Sequence, residues 1–150
     1  MQLTDHFALH ELTKSSTAAR MGINNEPGPE EIQALTYLCI GILEPVRMHF
    51  GKPFAPNSGY RCLELNNAVG SKPTSQHVRG EAADIELSGI SNYDLAAWIA
   101  DNLLFDQVIL ENYRVGYPDS GWVHVSFKRL GNRRKSLTYN NGRYLQGLMK

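Results

Sequence analysis

The sequence predicts an α+β fold in which a small, mainly antiparallel sheet packs against helices. Three features support this class: one long segment has helical spacing, three short segments alternate as strands do, and turn-forming residues separate them. The chain has 150 residues, of which 42% are hydrophobic and 20% are charged. This size and composition fit one domain, residues 1–150, with a core of its own.

The main core helix is predicted within the segment NEPGPEEIQALTYLCIGILEPVRMHFG, residues 25–51. Pro29 and the two acidic residues after it suit the first turn of a helix, where the helix dipole is positive. We expect Pro45 to kink or split this helix and Gly51 to end it. Apolar residues recur at helical spacing along the segment: Ile32, Leu35, Leu38, Cys39, Ile42 and Val46.

Two short elements are expected before the first confident strand. The segment KPFAPNSGYRC, residues 52–62, lies between prolines and is predicted to be extended. The segment LELNNAVG predicts a short helix that Gly70 closes. The segment EAADIEL, residues 81–87, is then the first strand.

The second half of the chain predicts a helix and a hairpin. In SNYDLAAWIADNLL, Ser91 is the expected N-cap, with Asp94 three residues later as in a capping box. FDQVILENY and GWVHVSF alternate as strands, and the turn-rich RVGYPDS joins them. The basic tail from Lys128 predicts one more short hairpin around Asn140, Asn141 and Gly142.

The composition argues against several classes of protein. Fifteen basic and 15 acidic residues balance, so no overall field attracts nucleic acid or an anionic membrane. No apolar run approaches the roughly 20 residues that span a bilayer, and the N-terminus lacks the pattern of a signal peptide. Cys39 and Cys62 are too few for a disulfide framework and lack metal-site spacing, so we expect two buried thiols.

One stretch, SQHVRGEAADIE, holds a histidine and an aspartate separated by six residues. A turn at Gly80 followed by a strand would let His77 and Asp84 face one spot from two sides. In GWVHVSF, His124 faces away from its valine neighbours because side chains alternate across a strand. If Glu111 of the preceding strand shares that face, the sheet presents a carboxylate beside an imidazole.

These residues together predict a metal site. Two imidazoles and one carboxylate leave a tetrahedral zinc with a fourth position open for water, as in catalytic zinc sites. A further carboxylate, Glu111, would take the proton from that water. Taken alone, a histidine in a strand is more often a partly buried residue with a satisfied hydrogen bond, and an aspartate after two alanines is more often a turn or strand-end residue.

Four segments carry a resemblance to a known family: SGYRC, SQHVRGEAADIE, FDQVILE and GWVHVSF. In their order along the chain and in their residue pattern they resemble the zinc D-alanyl-D-alanine peptidases, which include bacterial carboxypeptidases and phage endolysins. Hedgehog signalling domains share that fold. The resemblance runs from Ser58 to Phe127, and the segment FALHELTKSSTAARMGINN also looks like phage and prophage members. It implies an α+β fold of the Hedgehog/DD-peptidase type and zinc as the cofactor.

The resemblance also implies roles for individual residues. It makes His77, Asp84 and His124 the zinc ligands, and it makes Arg61 the residue that holds a substrate carboxylate or carbonyl oxygen. Ser75 and Gln76 flank the first ligand, so both are candidate substrate contacts, although Ser75 could instead hold the loop.

The general base has two candidates. The Phe-Asp-x-Val-x-x-Glu strand of the Hedgehog type matches FDQVILE and implies that Glu111 is the base. Several relatives instead carry a carboxylate three residues before the last histidine, where this chain has Gly121. Asp119, in the hairpin loop, is the alternative. Trp122 is a further candidate substrate contact and stands where some relatives have another histidine.

The implied substrate is the stem peptide of bacterial peptidoglycan, cut next to a D-amino acid. A D-Ala-D-Ala carboxypeptidase and an endolysin-type endopeptidase both fit. We expect a monomer that is made in the cytoplasm without a signal peptide and acts at the cell wall or periplasm after release, as a phage or prophage lysin does. The alternatives are a zinc-containing wall-binding module without activity and a phage structural protein.

Overall fold

A five-stranded sheet forms the centre of the molecule. The computed structural model describes residues 1–150. The strands follow the order β1-β3-β2-β4-β5, and every neighbouring pair is antiparallel except β2 and β4. The predicted α+β class is therefore confirmed. The strands are β1 (Ala82–Ile85), β2 (Gln107–Glu111), β3 (Trp122–Ser126), β4 (Lys135–Asn140) and β5 (Arg143–Gln146).

Six α-helices, one 3₁₀ turn and one π-helical turn complete the fold. A 3₁₀ turn, Gln76–Arg79, precedes β1, and a π-helical turn, Cys39–Leu43, joins two of the α-helices. None of the helices has the length and apolar character that crossing a membrane requires. The helices are α1 (Leu9–Thr13), α2 (Ser16–Met21), α3 (Pro29–Leu38), α4 (Glu44–Phe50), α5 (Leu63–Ala68) and α6 (Asn92–Asn102).

The predicted core helix is present as α3, the π-helical turn and α4, but Pro45 does not split it. Leu43 and Glu44 keep right-handed helical dihedrals, and the Glu44 N–H donates to the Cys39 carbonyl, five residues back. Pro45 lacks an N–H and its ring crowds the preceding turn. The wider π-helical turn lies directly before this ring and lets the chain continue. Gly51 ends the helix in the left-handed conformation, as predicted.

The two faces of the sheet have different characters. Residues of β1, β2 and β3 that alternate onto one face are fully buried against α3, α4 and α6. Each large apolar side chain buried there contributes about 1.5–3 kcal/mol. The opposite face of the same strands carries the polar residues. The buried set is Ala83, Ile85, Val108, Leu110, Val123 and Val125.

Both predicted hairpins are present. β2 and β3 pair with Glu111 opposite Trp122, and β4 and β5 are joined at Asn141 and Gly142. Both of these turn residues have a positive φ, of 52° and 73°, which is the type I′ geometry expected for a two-residue hairpin loop. The parallel pairing of β4 with β2 was not predicted.

The smaller predicted elements are also found. The Ser91 hydroxyl accepts a hydrogen bond from the Asp94 N–H at 3.0 Å and caps α6. Both cysteines are free thiols. Cys39 is fully buried, as expected, whereas Cys62 is only half-buried. Its sulfur accepts a hydrogen bond from the Leu65 N–H at the start of α5.

Candidate metal centre

Three metal-ligating side chains meet on the polar face of the sheet. Asp84 of β1 lies opposite His124 of β3, so both side chains project from the same face. His77 comes from the 3₁₀ turn before β1, and the ligand atoms of the three residues lie within 4.8 Å of one another. Asp84 Oδ1 is 3.2 Å from His124 Nδ1 and 3.4 Å from His77 Nε2.

Gly80 makes the turn that brings His77 back beside β1. Its φ is +74°, a conformation that residues with a side chain rarely adopt. A Cβ at this position would also lie 2.6 Å from the carbonyl oxygen of Glu31 at the start of α3. The turn predicted at Gly80 is confirmed.

The hydrogen bonds of His77 leave one ring nitrogen free to bind a cation. His77 is buried, and its Nδ1 lies 2.7 Å from the Gly59 carbonyl oxygen. A carbonyl only accepts, so Nδ1 carries the proton and the lone pair of Nε2 faces Asp84. Burial lowers the pKa of His77 although Asp84 raises it, which keeps the ring neutral. Two acceptors that face each other in this way are complementary to a cation.

The geometry of the three residues fits zinc. A tetrahedral zinc with bonds near 2.1 Å has ligand–ligand edges of about 3.4 Å. The two distances from Asp84 Oδ1, 3.2 and 3.4 Å, match such edges. Burial raises the pKa of Asp84, but the contacts with the rings of His124 and His77 outweigh it and hold this pKa well below its usual range. Asp84 is therefore an ionised carboxylate at neutral pH.

Glu111 stands on the same face as His124, as predicted. It is half-buried at the end of β2, and its Oε2 accepts a hydrogen bond of 2.9 Å from the Trp122 indole N–H. Burial raises the pKa of Glu111, and this effect exceeds the lowering by His124. The pKa of this carboxyl group is thereby shifted toward neutral pH, which suits a role in proton transfer.

Neither of the two other positions considered for the general base places a carboxylate beside the histidines. Gly121 has a φ of +68°, and a Cβ there would lie 2.0 Å from the Glu111 carbonyl oxygen, so no side chain fits. Asp119 is exposed in the loop between β2 and β3 and does not line the cavity beside the histidines.

Arg61 is held beside the cluster by its backbone. The Arg61 N–H donates to the His77 carbonyl at 3.1 Å, and the Tyr60 N–H donates to the Leu12 carbonyl of α1 at 2.7 Å. The Nε atom of Arg61 is buried and has no hydrogen-bond partner in the protein. Burial lowers the pKa of Arg61, while Asp84 and Glu111 raise it.

The comparisons with known proteins agree with this arrangement. A family model described as Peptidase M15 matches residues 5–126. The chain belongs to the Peptidase M15 family. The match covers the chain from before α1 to the end of β3 and thus includes all of the predicted site residues. No curated protein matches the chain. Membership implies a metallopeptidase, and the cluster of His77, Asp84 and His124 is the group that could hold its metal.

A cleft of about 700 Å³ surrounds the candidate metal centre of this M15 peptidase. Ser75, Gln76 and Trp122 all line it, as does Arg61. The Ser75 hydroxyl accepts a hydrogen bond from the His77 N–H at 3.3 Å, so it holds the 3₁₀ turn. Gln76 donates to Asp106 at 2.9 Å. The structure thus brings all the predicted site residues together except Asp119.

The C-terminal tail lines a part of the cleft that was not predicted from the sequence. Arg133, Tyr139 and Tyr144 line the cleft, and the two tyrosine rings lie 4.6 Å apart. Tyr139 is brought there by the parallel pairing that sets it opposite Glu111. The basic residues of the tail are visible in the sequence, but no local pattern links them to β2.

Proposed function

We propose that this M15 peptidase is a zinc enzyme that hydrolyses peptide bonds next to D-amino acids in bacterial peptidoglycan. The observation that carries the proposal is the meeting of His77, Asp84 and His124 beside the half-buried Glu111 within one cleft. The substrate rests on the resemblance of the four motifs to the zinc D-alanyl-D-alanine peptidases. A carboxypeptidase and an endolysin-type endopeptidase are both within this proposal.

The zinc would be held by His77 through Nε2, by Asp84 through its carboxylate and by His124 through Nδ1. When bound, zinc supplies Lewis acidity, which polarises a carbonyl group and lowers the pKa of water from about 15.7 to near 7. The contact between His77 Nδ1 and the Gly59 carbonyl orients the His77 ring and leaves Nε2 free for the metal.

Glu111 is the proposed general base. Its carboxylate accepts the proton of the attacking water and then passes it to the leaving amine. The hydrogen bond from Trp122 to Oε2 orients the carboxylate, and Oε1 accepts no hydrogen bond from the protein. The raised pKa of Glu111 favours both steps, because a base works best when its pKa lies near the operating pH.

Arg61 is the proposed binding residue for a carboxylate or a developing oxyanion of the substrate. Its guanidinium stays charged and offers several N–H donors in one plane. The unpartnered Nε shows that the protein does not use all of these donors itself. Ser75 acts mainly through His77, whose position it fixes.

The test is a digestion of purified peptidoglycan by the zinc-loaded protein, followed by mass spectrometry of the products. We expect new peptide termini next to a D-amino acid, and these termini identify the bond that is cut. The matched control is the His124→Ala variant, which should release none of these products. Wild-type protein that carries zinc and releases no peptide product would contradict the proposal.

A further inference from the structure

The end of the cleft nearest the start of β2 includes a residue that lies outside the family match. The match ends at residue 126, whereas Arg133 lines the cleft. Along β2, Gln107 marks this end, Ile109 lies opposite His124, and Glu111 marks the other end. Arg133 and the candidate metal centre are therefore at different positions along one cleft.

Arg133 is fixed by a fully buried carboxylate. Asp106 is 0% exposed and accepts hydrogen bonds from Arg133 Nε at 3.0 Å and from Arg133 Nη2 at 2.7 Å. The Arg133 backbone N–H also donates to Asp106, at 3.0 Å. One edge of the guanidinium is thus used in a bidentate pair, whereas Nη1 makes no hydrogen bond to the protein.

Gln76 is fixed by the same carboxylate. Its Nε2 donates to Asp106 Oδ2 at 2.9 Å, which sets the orientation of the side-chain amide because a carboxylate only accepts. Gln76 is only 9% exposed, and its Oε1 is buried without any hydrogen-bond partner although the residue lines the cleft. A buried acceptor without a partner is unfavourable unless a ligand supplies the donor.

We propose that Arg133 Nη1 and Gln76 Oε1 form a subsite that binds one peptide group of the substrate away from the bond that is cut. The carbonyl of that group would accept from Nη1, and its N–H would donate to Oε1. The two side chains are adjacent because both bond Asp106 Oδ2. Asp106 also neutralises the charge of Arg133, so the subsite suits an uncharged peptide group better than a free carboxylate.

The position of this subsite implies a substrate longer than a dipeptide. Gln107 precedes Ile109 by two residues, which corresponds to about 7 Å along an extended strand. An extended substrate covers that distance with about two residues. This inference rests on the proposed function, since it assumes that a peptide occupies the cleft.

The variants for the test are Arg133→Lys and Gln76→Met. Arg133→Lys keeps a positive charge beside the buried Asp106 and removes Nη1, whereas Arg133→Ala would leave that carboxylate without its ion-pair partner and could unfold the chain. Gln76→Met keeps the length of the side chain and removes Oε1. Arg143→Lys is the matched control, because Arg143 is exposed on β5 and does not line the cleft.

Each variant is combined with Glu111→Gln to prevent turnover, loaded with zinc, and titrated by calorimetry with a synthetic stem pentapeptide that ends in D-Ala-D-Ala. We expect Arg133→Lys and Gln76→Met each to weaken binding about tenfold, and Arg143→Lys to leave it unchanged. A lower melting temperature with unchanged affinity would assign Arg133 and Gln76 a structural role only and overturn the subsite.

The outcomes separate this subsite from the proposed function. If wild-type protein cuts no peptidoglycan but pentapeptide binding still depends on Arg133, hydrolysis is wrong and the subsite stands. If wild-type protein cuts peptidoglycan and neither variant weakens binding, the subsite is wrong and hydrolysis stands. A Glu111→Gln protein that binds zinc but no pentapeptide also overturns the subsite.

Discussion

Replacing Glu111 by glutamine tests whether this side chain is the base. The change keeps the volume of the side chain, and the glutamine carbonyl can still accept the hydrogen bond that Trp122 donates at 2.9 Å. Glu111 makes no hydrogen bond to His77, Asp84 or His124, so the metal ligands keep their own contacts. We therefore expect Glu111→Gln to fold normally and to bind zinc as the wild type does.

The expected loss is in turnover. Removing a general base costs about 10²–10⁴ in rate, which corresponds to about 2.7–5.4 kcal/mol of transition-state stabilisation. The assay is the rate of product release from peptidoglycan at saturating zinc, with zinc content measured on the same samples. Asp119→Asn is the matched control and should keep full turnover, because Asp119 does not line the cleft.

Two results would refute this reasoning. Full turnover in Glu111→Gln together with none in Asp119→Asn would move the base to the loop between β2 and β3. A loss of zinc affinity by about 10- to 100-fold, with activity rescued by added zinc, would show that Glu111 only orients a ligand.

Three further predictions concern the thiols, the buried ion pair and the turn before β3. The double variant Cys39→Ser, Cys62→Ser should keep its zinc, measured by atomic emission, because neither sulfur belongs to the cluster of ligands; loss of zinc would refute this. Asp106→Asn should lower the free energy of unfolding by about 1.5–3 kcal/mol at pH 7, because it weakens charged hydrogen bonds to a buried carboxylate. Although burial raises the pKa of Asp106, hydrogen bonds from Arg133 and Gln76 hold it well below its usual range, so this stabilisation is complete above about pH 4 and is lost at lower pH. Urea unfolding should accordingly show the difference between wild type and Asp106→Asn shrinking below pH 4, and a constant difference would count against the ion pair. Gly121→Ala should lower stability by more than about 1 kcal/mol in the same assay, because of its positive φ and the close Glu111 carbonyl, and unchanged stability would contradict that contact.

The polar face of the sheet could be predicted because it depends on local rules. The alternation of side chains in GWVHVSF and FDQVILE is enough to place His124 and Glu111 on the face of the sheet opposite to the buried valines and leucine. Gly80 marks the turn before β1, and this turn returns His77 to the same face.

Other features depend on contacts that no local pattern records. A parallel pair such as β2 and β4 has no tight turn between its strands, so the position of Tyr139 opposite Glu111 cannot be deduced from spacing. Asp106 looks like an ordinary residue at the start of a strand, and its pairing with Arg133 spans 27 residues. The short helices α1 and α2 lie in a segment without clear periodicity. Leu12 of α1 packs into the main core, whereas Ala18 of α2 packs against Ile23 and Leu65.

We propose that zinc held by His77, Asp84 and His124 makes this M15 peptidase active. Its most direct test is a titration of the metal-free protein with zinc, with peptidoglycan cleavage and bound metal measured at each step. We expect cleavage to rise with bound zinc and to saturate at one zinc per chain, and we expect His124→Ala neither to retain zinc nor to gain activity. Full cleavage by the metal-free protein, or unchanged zinc affinity in His124→Ala, would contradict it.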